Sequence, residues 1–464
     1  MRIPGDIINQ IPEHVLLAID LLESRGYEAY VVGGAVRDIL IGALPFDFDI
    51  TTSARVEETI KVFEGFKTIP TGIAHGTVTV LIDGHQIEIT TFRLDGDYLD
   101  HRRPDKVTFT DDLSRDLLRR DFTVNALAYS PSKGLIDVTG GIGDIEKKII
   151  RCVGDPEQRF KEDALRIMRA LRFSAKLGFD IDPDTKAAAI QRCGDLRFVS
   201  AERINAELSK LLVSENIDRM RDIFLGGTRD VIFEIIPELK KCVDVPQINQ
   251  FHCYDVYTHT VAAMLSTRSD LLLRMTLLLH DIGKPDCLRF DSKGNTHFTG
   301  HADISAGIAE TVLNRLRYPK RFIADVTDLV RYHEFFRDPL VTSGYYRKAA
   351  GKLIRLAGTE HASMLPEVMS ADVHGKKEDY IALLESSLHK LKDEIEDIVI
   401  SGKAVTGPSS LAVSGRDLKA AGIPKGKTMG RILSRLAVMA SEFDIENEKD
   451  VLTDKALQLY REGI

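Results

Sequence analysis

The chain has 464 residues, of which 44% are hydrophobic and 28% charged, and it contains no apolar run long enough to cross a membrane. This composition is typical of a soluble globular protein and excludes fibrous and low-complexity classes, while the length favours about three domains. The 62 Lys and Arg against 70 Asp and Glu give a net charge of −8, which argues mildly against nucleic-acid binding but allows a local basic groove.

The five cysteines are scattered, and no two of them form a C-x-x-C pair. Cysteines without metal-ribbon spacing are typical of a reducing compartment, so we expect a cytoplasmic protein. The N-terminal residues contain no apolar signal core, which agrees with that expectation.

The first third of the chain is predicted to alternate strands and helices, whereas the chain after about Gly154 is predicted to be mostly helical. The predicted elements are a strand at 29–32, a helix at 35–41 capped by Gly42, a hairpin of strands 77–82 and 86–92 around Asp83-Gly84, and amphipathic helices at 162–176 and 204–212.

Two carboxylates, Asp47 and Asp49, stand two residues apart in a segment predicted to be a strand. Side chains at this spacing share one face, so we expect Phe46, Phe48 and Ile50 to fill the other face. Adjacent carboxylates repel each other unless a cation lies between them, and hard oxygen ligands suit Mg²⁺ bound partly through substrate phosphates. The alternative is a solvated polar edge strand.

The residues before this pair favour the metal interpretation. Gly33 and Gly34 lie between the predicted strand and helix, where bare backbone allows phosphate oxygens to approach the helix N-terminus. Arg37 lies one helical turn further on and can reach the same phosphates. Glu88, on the second hairpin strand, is a candidate third carboxylate, although a solvent-facing glutamate is an equally good interpretation.

Three ordered motifs, GGAVRD…DFD, RRDFTVNALAY and EDALRIMRALRF, resemble the class II tRNA nucleotidyltransferase/poly(A) polymerase family of polymerase-β-like nucleotidyltransferases. The resemblance covers roughly residues 15 to 215. It implies an α+β fold, with a small catalytic head followed by a mostly helical neck. It also implies Mg²⁺-dependent transfer from CTP and ATP to the 3′ end of tRNA without a template, with Asp47 and Asp49 as the catalytic metal ligands.

In RRDFTVNALAY, Arg119 and Arg120 offer bidentate donors for triphosphate oxygens, and Asp121 can accept a ribose hydroxyl. The alternative is a charged helix start with Asp121 as its cap. In the family this segment contacts sugar and phosphates, which favours the first interpretation. The nucleotide-binding residues that the resemblance implies are Gly33, Gly34, Arg37, Arg120, Asp121, Asp163, Arg166, Arg169 and Arg172.

In EDALRIMRALRF, Asp163 and Arg166 are three residues apart and are predicted to be neighbours on one helix face. A carboxylate beside a guanidinium can imitate a Watson–Crick edge, and the resemblance implies that this pair selects cytosine and adenine. The alternative is a simple intrahelical salt bridge. Arg169 and Arg172 continue the basic edge and could contact phosphates or RNA.

Two features bear on the acceptor and the product. The segment Asp95 to Pro104 is similar to a loop found in family members that add the final adenosine. The stretch LRFSAKLGFDI stands where poly(A) polymerases are usually basic, which favours tRNA as the acceptor. Addition of the complete CCA, addition of the final A alone and poly(A) synthesis remain open at this point.

Histidines between about 251 and 334 resemble the HD phosphohydrolase superfamily, in which H…HD…D binds a divalent metal. The candidate ligands are His259, His280, Asp281 and His301, a set that suits a transition metal. The late position, where an aspartate is expected, reads His333-Glu334. Asp328 and Asp338 are possible substitutes. We expect metal binding, and phosphohydrolase activity is left open.

The predicted organisation is a catalytic head at 1–150, a neck with base selection at 151–215, a helical body at 216–400 with the HD domain at about 250–340, and a tRNA-binding tail at 401–464. In the tail, Lys419, Lys425 and Lys427 could contact RNA phosphate, or they could be ordinary solvated lysines. Two other functions are weighed: an HD hydrolase with a degenerate head, and a non-catalytic RNA scaffold. The intact Asp47 and Asp49 argue against both.

Overall fold

The computed structural model describes residues 7–95, 107–248, 254–336, 343–374 and 378–463. The chain divides into two compact units, Met1–Ile235 and Ile236–Ile464. None of the described helices has both the length and the low polarity needed to cross a bilayer.

The described strands lie mainly in the first unit. They are β1 Ala29–Val32, β2 Asp49–Thr52, β3 Lys67–Gly72, β4 Thr77–Ile82, β5 His85–Thr91, β6 Arg93–Asp95, β7 Val107–Phe109, β8 Leu127–Ser130, β9 Gly134–Asp137, β10 Ile149–Ile150, β11 Asp180–Ile181, β12 Arg289–Phe290 and β13 Thr296–His297. Among the described residues, seven of these strands form one sheet in the order β3-β4-β5-β2-β1-β8-β9, and the other strands form two-stranded pairs.

The helices of the first unit surround and follow this sheet. They are α1 Glu13–Glu23, α2 Gly34–Ile41, α3 Val56–Val62, α4 Leu113–Leu118, α5 Gly141–Lys147, α6 Pro156–Glu162, α7 Leu165–Leu177, α8 Pro183–Gln191, α9 Ala201–Leu212, α10 Ile217–Leu225 and α11 Arg229–Ile235. A sheet-containing head followed by helices is the α+β architecture expected from the sequence, and that expectation is confirmed.

The register of the central strands brings carboxylates together. β2 is antiparallel to β1, pairing Asp49 with Val32, and parallel to β5, pairing Asp49 with Glu88. Residues paired across neighbouring strands point to the same face of the sheet. Glu88 therefore lies beside Asp49, as the third-carboxylate hypothesis requires.

Two turns in the head are confirmed as predicted. The strand β1 passes through Gly33, which has a φ of 76°, into α2, and α2 ends at Gly42, which has a φ of 80°. The β4–β5 hairpin turns at Asp83 and Gly84, with φ of 51° and 81°. Positive φ at both central residues matches the twist of the flanking strands, which is why Asp-Gly predicts this hairpin well.

The helix predicted over 162–176 is wrong at its start. α6 ends at Glu162, and Asp163 has an extended backbone with φ of −141° before α7 begins at Leu165. The Asp163 side chain accepts a hydrogen bond from the Leu165 backbone N–H at 3.1 Å. This local bond to an otherwise unpaired amide competes with continuation of the first helix.

The second unit is helical. Its described helices are α12 Val256–Ser266, α13 Leu271–Leu279, α14 Lys284–Cys287, α15 His301–Arg315, α16 Lys320–Tyr332, α17 Ser343–Val373, α18 Glu378–Ile400, α19 Gly415–Ala420, α20 Lys427–Ser441 and α21 Lys449–Arg461. α17 is interrupted at Gly358, which has a φ of 78°. Leu353, Leu365 and Leu388 belong to one buried cluster that joins α17 to α18.

Candidate active site

Three carboxylates form the centre of the site in the first unit. Asp49 opens β2, Glu88 lies beside it on β5, and Asp47 precedes the strand. Desolvation, together with repulsion from Asp47 and Glu88, raises the pKa of Asp49 to about 6, even though Arg120 lowers it. This crowding of negative charge is what a cation would relieve.

The prediction that Asp47 lies on the strand is wrong, and so is the placement of Phe46 in the core. β1 ends at Val32, whose partner is Asp49, so its ladder stops before Asp47 is reached. Phe46 is 98% exposed, while Ile50 is fully buried as expected. Phe48 is half-buried. The carboxylate pair therefore straddles the strand end, and only Asp49 is fixed by the sheet.

The glycine turn lies between two arginines. A Cβ on Gly33 would stand 3.2 Å from Nη1 of Arg120, and one on Gly34 would stand 3.6 Å from Nη2 of Arg37. The turn opens α2, so the positive end of the helix dipole and its free N–H groups are directed at the same place. Bare backbone, helix N-terminus and guanidinium groups together make an anion-binding cradle.

Asp116 organises the arginines of this cradle, and the sequence analysis missed it. It lies in α4 and is fully buried. Its carboxylate accepts from Arg119 at 2.7 and 3.0 Å, from Arg120 at 3.4 Å and from the Thr51 hydroxyl at 3.3 Å. Desolvation would raise the pKa of Asp116, but the two arginines hold it below its ordinary value. The signal was its spacing of three and four residues before two arginines on a helix.

Asp121 is buried and held on both oxygens. One oxygen accepts from the Phe122 backbone N–H at 2.8 Å and from the Asn125 side chain at 3.1 Å, and the other accepts from Arg169 at 2.6 and 2.8 Å. Desolvation opposes ionisation, but Arg169 and Asn125 lower the pKa of Asp121 to about 2. Asp121 follows α4 rather than capping a helix start, so the capping alternative is wrong.

Arginines of α2 and α7 surround one aromatic ring. The guanidinium carbons of Arg37, Arg169 and Arg172 lie 5.2, 5.3 and 3.9 Å from the centre of the Phe173 ring. Arg37 is buried and also donates to Asp38 and Asn125. Cation–π contacts and ion pairs of this kind fix guanidinium groups in place, so these three arginines are rigid parts of the site.

The proposed base-reading residues do not pair with each other. Arg166 donates to Glu162 at 2.8 Å and to the Arg119 carbonyl at 3.1 Å. Asp163 instead accepts from Arg203 of α9 at 2.7 Å. The interpretation of Asp163 and Arg166 as an intrahelical salt bridge is therefore wrong, because the break at Asp163 turns the two side chains to different partners.

In the second unit, buried histidines and aspartates converge at the ends of several helices. One group of potential metal ligands within 4.8 Å of one another is His259, His280, Asp281 and Asp372, and a second is Asp281, His301 and His333. Asp281 belongs to both groups, so it could bridge two ions. Lys284 also contacts Asp281, at 2.6 Å.

The late aspartate of this cluster is Asp372 of α17, which the sequence analysis missed. Its carboxylate lies 2.8 Å from Nε2 of His259 and 3.3 Å from Nε2 of His280. Asp328 is not the substitute that was considered, because it pairs with Arg331 at 2.9 Å outside the cluster. Asp338 lies outside the described residues. His333, which departs from the expected pattern, is one of the clustered potential ligands.

The electrostatics of the cluster are dominated by these contacts. Burial alone would lower the pKa of His280, but Asp281 and Asp372 raise it to about 9. Burial would raise the pKa of Asp281, but His280 and Lys284 hold it well below its ordinary value. Imidazole nitrogens and carboxylates at these separations form a donor set that suits a divalent transition metal.

A basic stripe runs along the last part of the chain. Lys427, Arg431 and Arg435 of α20 are exposed at spacings of four residues and line a shallow depression of about 690 Å³. Lys419 and Lys425 are also exposed. Residues four apart share one helix face, so the three α20 cations are neighbours.

Three domain families match the chain. They are described as the poly A polymerase head domain, over residues 29–151, the probable RNA and SrmB-binding site of polymerase A, over 178–224, and the HD domain, over 251–367. The HD match ends before Asp372. These matches confirm the family resemblance and the HD domain expected from the sequence.

Curated relatives and solved structures agree with these matches. CCA-adding enzymes from Leuconostoc citreum KM20 and Geobacillus kaustophilus HTA426 are 53% identical over 211 residues and 51% over 200, covering 45% and 43% of this chain. The matches span 52% and 49% of those relatives, so the chain spans about half the length of the curated relatives it matches.

Among solved structures, the Bacillus stearothermophilus CCA-adding enzyme in complex with CTP aligns with a TM-score of 0.71 at 28% identity, covering 100% of this chain and 99% of that one. The Thermotoga maritima CCA-adding enzyme complexed with tRNA_CCA aligns at 0.62 with 19% identity, covering 99% of each chain, and shows the shared fold alone.

Proposed function

We propose that the chain adds C, C and A to the 3′ end of tRNA without a nucleic-acid template, because it matches the poly A polymerase head domain, the RNA-binding segment of polymerase A and the HD domain. The observation that carries this proposal is the juxtaposition of Asp47, Asp49 and Glu88 with Arg120, which borders the Gly33 turn. Nucleotidyl transfer needs carboxylates that can hold a divalent cation next to a site that binds the triphosphate.

Asp47 and Asp49 would hold Mg²⁺, with Glu88 as a further ligand. The residues fit this ion, because desolvation and repulsion from Asp47 and Glu88 raise the pKa of Asp49 to about 6 and the three carboxylates offer hard oxygen donors. When bound, Mg²⁺ supplies charge neutralisation at the α-phosphate and lowers the pKa of the attacking hydroxyl.

The glycine turn would hold the triphosphate. Gly33 and Gly34 allow the phosphates to approach the N-terminus of α2, and Arg120, oriented by Asp116, donates to them. Arg37, expected to reach the same phosphates, is buried and already donates to Asp38 and Asn125, so its part would be to support the turn. The tRNA 3′-hydroxyl then attacks the α-phosphate of CTP or ATP in line, and pyrophosphate leaves. Positioning and electrostatics dominate such chemistry.

A second group of residues would recognise the ribose and the base of the nucleotide. A ribose hydroxyl would reach Asp121 only by displacing one of the four hydrogen bonds that its carboxylate accepts. Asp163 and Arg166 would select the base. Arg169 and Arg172 would support this site, because each is tied to a buried carboxylate, Asp121 and Glu207 respectively. Their contribution is to hold acceptors in place more than to touch phosphate directly.

The acceptor would be tRNA bound in the cytoplasm. The match to an RNA-binding segment over 178–224 and the basic stripe of α20 support RNA binding despite the net charge of −8. The names of the curated relatives favour addition of the complete CCA over addition of A alone or poly(A) synthesis. The loop from Asp95 to Pro104, expected to assist A addition, lies almost entirely outside the described residues.

The proposal is tested with tRNA transcripts that end before CCA, after C and after CC, incubated with labelled CTP and ATP in Mg²⁺. We expect two cytidines and then one adenosine, added in order. Labelling of only the transcript that ends in CC would indicate an A-adding enzyme, and extended adenosine tracts would indicate a poly(A) polymerase.

The ligand cluster in the second unit supports a second activity, metal-dependent phosphoester hydrolysis. His259, His280, Asp281 and Asp372 would hold one transition-metal ion, and His301 and His333 would hold another through Asp281. When bound, such a metal activates water for attack on phosphorus. Metal analysis of the purified protein and an assay on 2′,3′-cyclic phosphates test this activity independently of tRNA.

A further inference from the structure

Asp163, one of the two residues proposed to read the base, is fixed on both carboxylate oxygens. One oxygen accepts from the Leu165 backbone N–H at 3.1 Å, and the other accepts from Nη2 of Arg203 at 2.7 Å. The side chains of Asp163 and Arg203 are 17% and 29% exposed, so the ion pair is partly shielded from water. A carboxylate held at both oxygens cannot rotate freely.

Arg166 does not perform this task. Its guanidinium donates to Glu162 and to the carbonyls of Arg119 and Arg159, so it is turned away from Asp163. In the part of the chain that the structure describes, Arg203 is therefore the cation hydrogen-bonded to Asp163.

Arg203 is anchored on a rigid element. It lies in α9, which packs against α7 and buries Ile204 and Leu208. One helical turn further on, Glu207 holds Arg172 of α7 at 2.5 Å. Residues four apart share a helix face, so α9 places Arg203 and Glu207 side by side, where they contact Asp163 and Arg172 respectively.

One donor of Arg203 is unused. Its Nη1 atom is buried and makes no hydrogen bond among the described residues, whereas Nη2 is bonded to Asp163. A buried donor without a partner is unfavourable. The ring nitrogen beside the exocyclic amino group, N3 of cytosine or N1 of adenine, is a hydrogen-bond acceptor and would satisfy it.

We propose that Arg203 is a positioning residue that sets nucleobase preference by holding Asp163 as a fixed hydrogen-bond acceptor. This inference rests on the proposed function and deepens it. Cytosine and adenine present an exocyclic amino donor on their Watson–Crick edge, whereas uracil and guanine present a carbonyl oxygen in that place. An ionised aspartate only accepts, so a fixed Asp163 favours the first two bases and rejects the others.

The test compares Arg203→Met, Arg203→Lys and Lys210→Met. Lys210 is exposed on the same helix and controls for the loss of one positive charge. We measure kcat and KM for CTP, UTP, ATP and GTP on a transcript that ends before CCA and one that ends in CC. In Arg203→Met the preference for CTP over UTP falls about tenfold or more, as expected for one lost polar constraint. Arg203→Lys recovers most of this loss, and Lys210→Met is unchanged.

Equal losses for all four nucleotides, with an unchanged ratio, would make Arg203 a purely structural residue and overturn the proposal. Failure of lysine to rescue the ratio, with the protein folded, would also contradict it, because a positioning cation is replaceable in part by another.

Equilibrium binding of CTP and UTP to the same variants separates this inference from the proposed function. If the unmutated chain binds CTP selectively but transfers nothing to tRNA, the proposed function fails and the binding ratios still decide the role of Arg203. If it binds both nucleotides equally, the inference about Arg203 fails even where transfer is observed.

Discussion

The carboxylates of the head lie near the surface, whereas the ligand cluster of the second unit is almost completely removed from solvent. Asp47 and Asp49 are exposed, while His259, His280 and Asp281 have no exposed surface. An exposed site can admit the end of a large polymer, but its charged side chains need neighbouring residues to hold them in position. In the head, buried residues such as Asp116 and Phe173 hold the charged side chains in position.

The buried cluster is organised differently, because its members hold one another. Four imidazoles and two carboxylates meet at short range on the ends or faces of helices. Such a group is costly without compensation by ion pairs, protons or a metal. The comparison indicates that the head site depends on supporting residues, whereas the cluster depends on each of its own members.

The largest effect is expected at the exposed carboxylates. Asp47→Ala and Asp49→Ala would each remove a proposed metal ligand and should lower nucleotide incorporation by about a thousandfold or more, because charge stabilisation at the α-phosphate would be lost. The unfolding temperature should not fall, since no core volume is removed, and Asp49→Ala should raise it because the crowding that raises the pKa of Asp49 is relieved. Asp20→Ala, an exposed aspartate of α1, is the matched control. Incorporation near the unmutated rate in either variant would remove the metal assignment.

The buried cluster is tested by Asp372→Ala against Asp328→Ala. The first variant should lose bound transition metal and any phosphohydrolase activity, because Asp372 contacts both His259 and His280. The second should retain metal, because Asp328 pairs with Arg331 outside the cluster. Elemental analysis of both purified variants measures this.

Both variants should also keep incorporating CTP and ATP, because the motifs of nucleotidyl transfer lie in the first unit. A collapse of transfer in folded Asp372→Ala alone would show that the two sites are coupled and that the comparison drawn above is wrong.

A smaller effect, on stability, is expected from Asp121. Its pKa of about 2 is below the ordinary value of 3.8, so the ionised form stabilises the folded state by roughly 2 kcal/mol at neutral pH. This stabilisation is complete above about pH 4 and is lost as the pH falls toward 2. Asp121→Asn should therefore be less stable at pH 7 and should approach the unmutated protein at low pH. Urea unfolding of the first unit at several pH values checks this, and a constant difference would contradict it.

The parts of the molecule that could be predicted from sequence are those with local physical causes. The turn at Gly33, the cap at Gly42 and the Asp83-Gly84 hairpin depend on backbone conformations that these residues favour. The pairing of Asp49 with Glu88 was foreseen only as one of two interpretations, because register depends on distant strands.

The misses have equally physical reasons. Asp372 was missed because a metal-ligand set is assembled by helix packing, and its last member comes from α17, well beyond the predicted HD segment. Asp163 was placed inside a helix because the helical spacing of apolar residues from Ala164 onward was extended back to Glu162, whereas the Asp163 side chain bonds the backbone and interrupts the helix.

The smallest effect is expected at Phe46, and it tests where the strand that contains Asp49 begins. A strand through Asp47 would bury Phe46, and Phe46→Ala would then cost about 3–5 kcal/mol. Because Phe46 is 98% exposed, the free energy of unfolding should instead change by less than about 0.5 kcal/mol. Phe63→Ala, in which a fully buried ring is truncated, is the matched control and should show the larger loss. Denaturant unfolding of both variants decides the point. Equal losses would return Phe46 to the core and Asp47 to the strand, so that the sheet would hold both carboxylates.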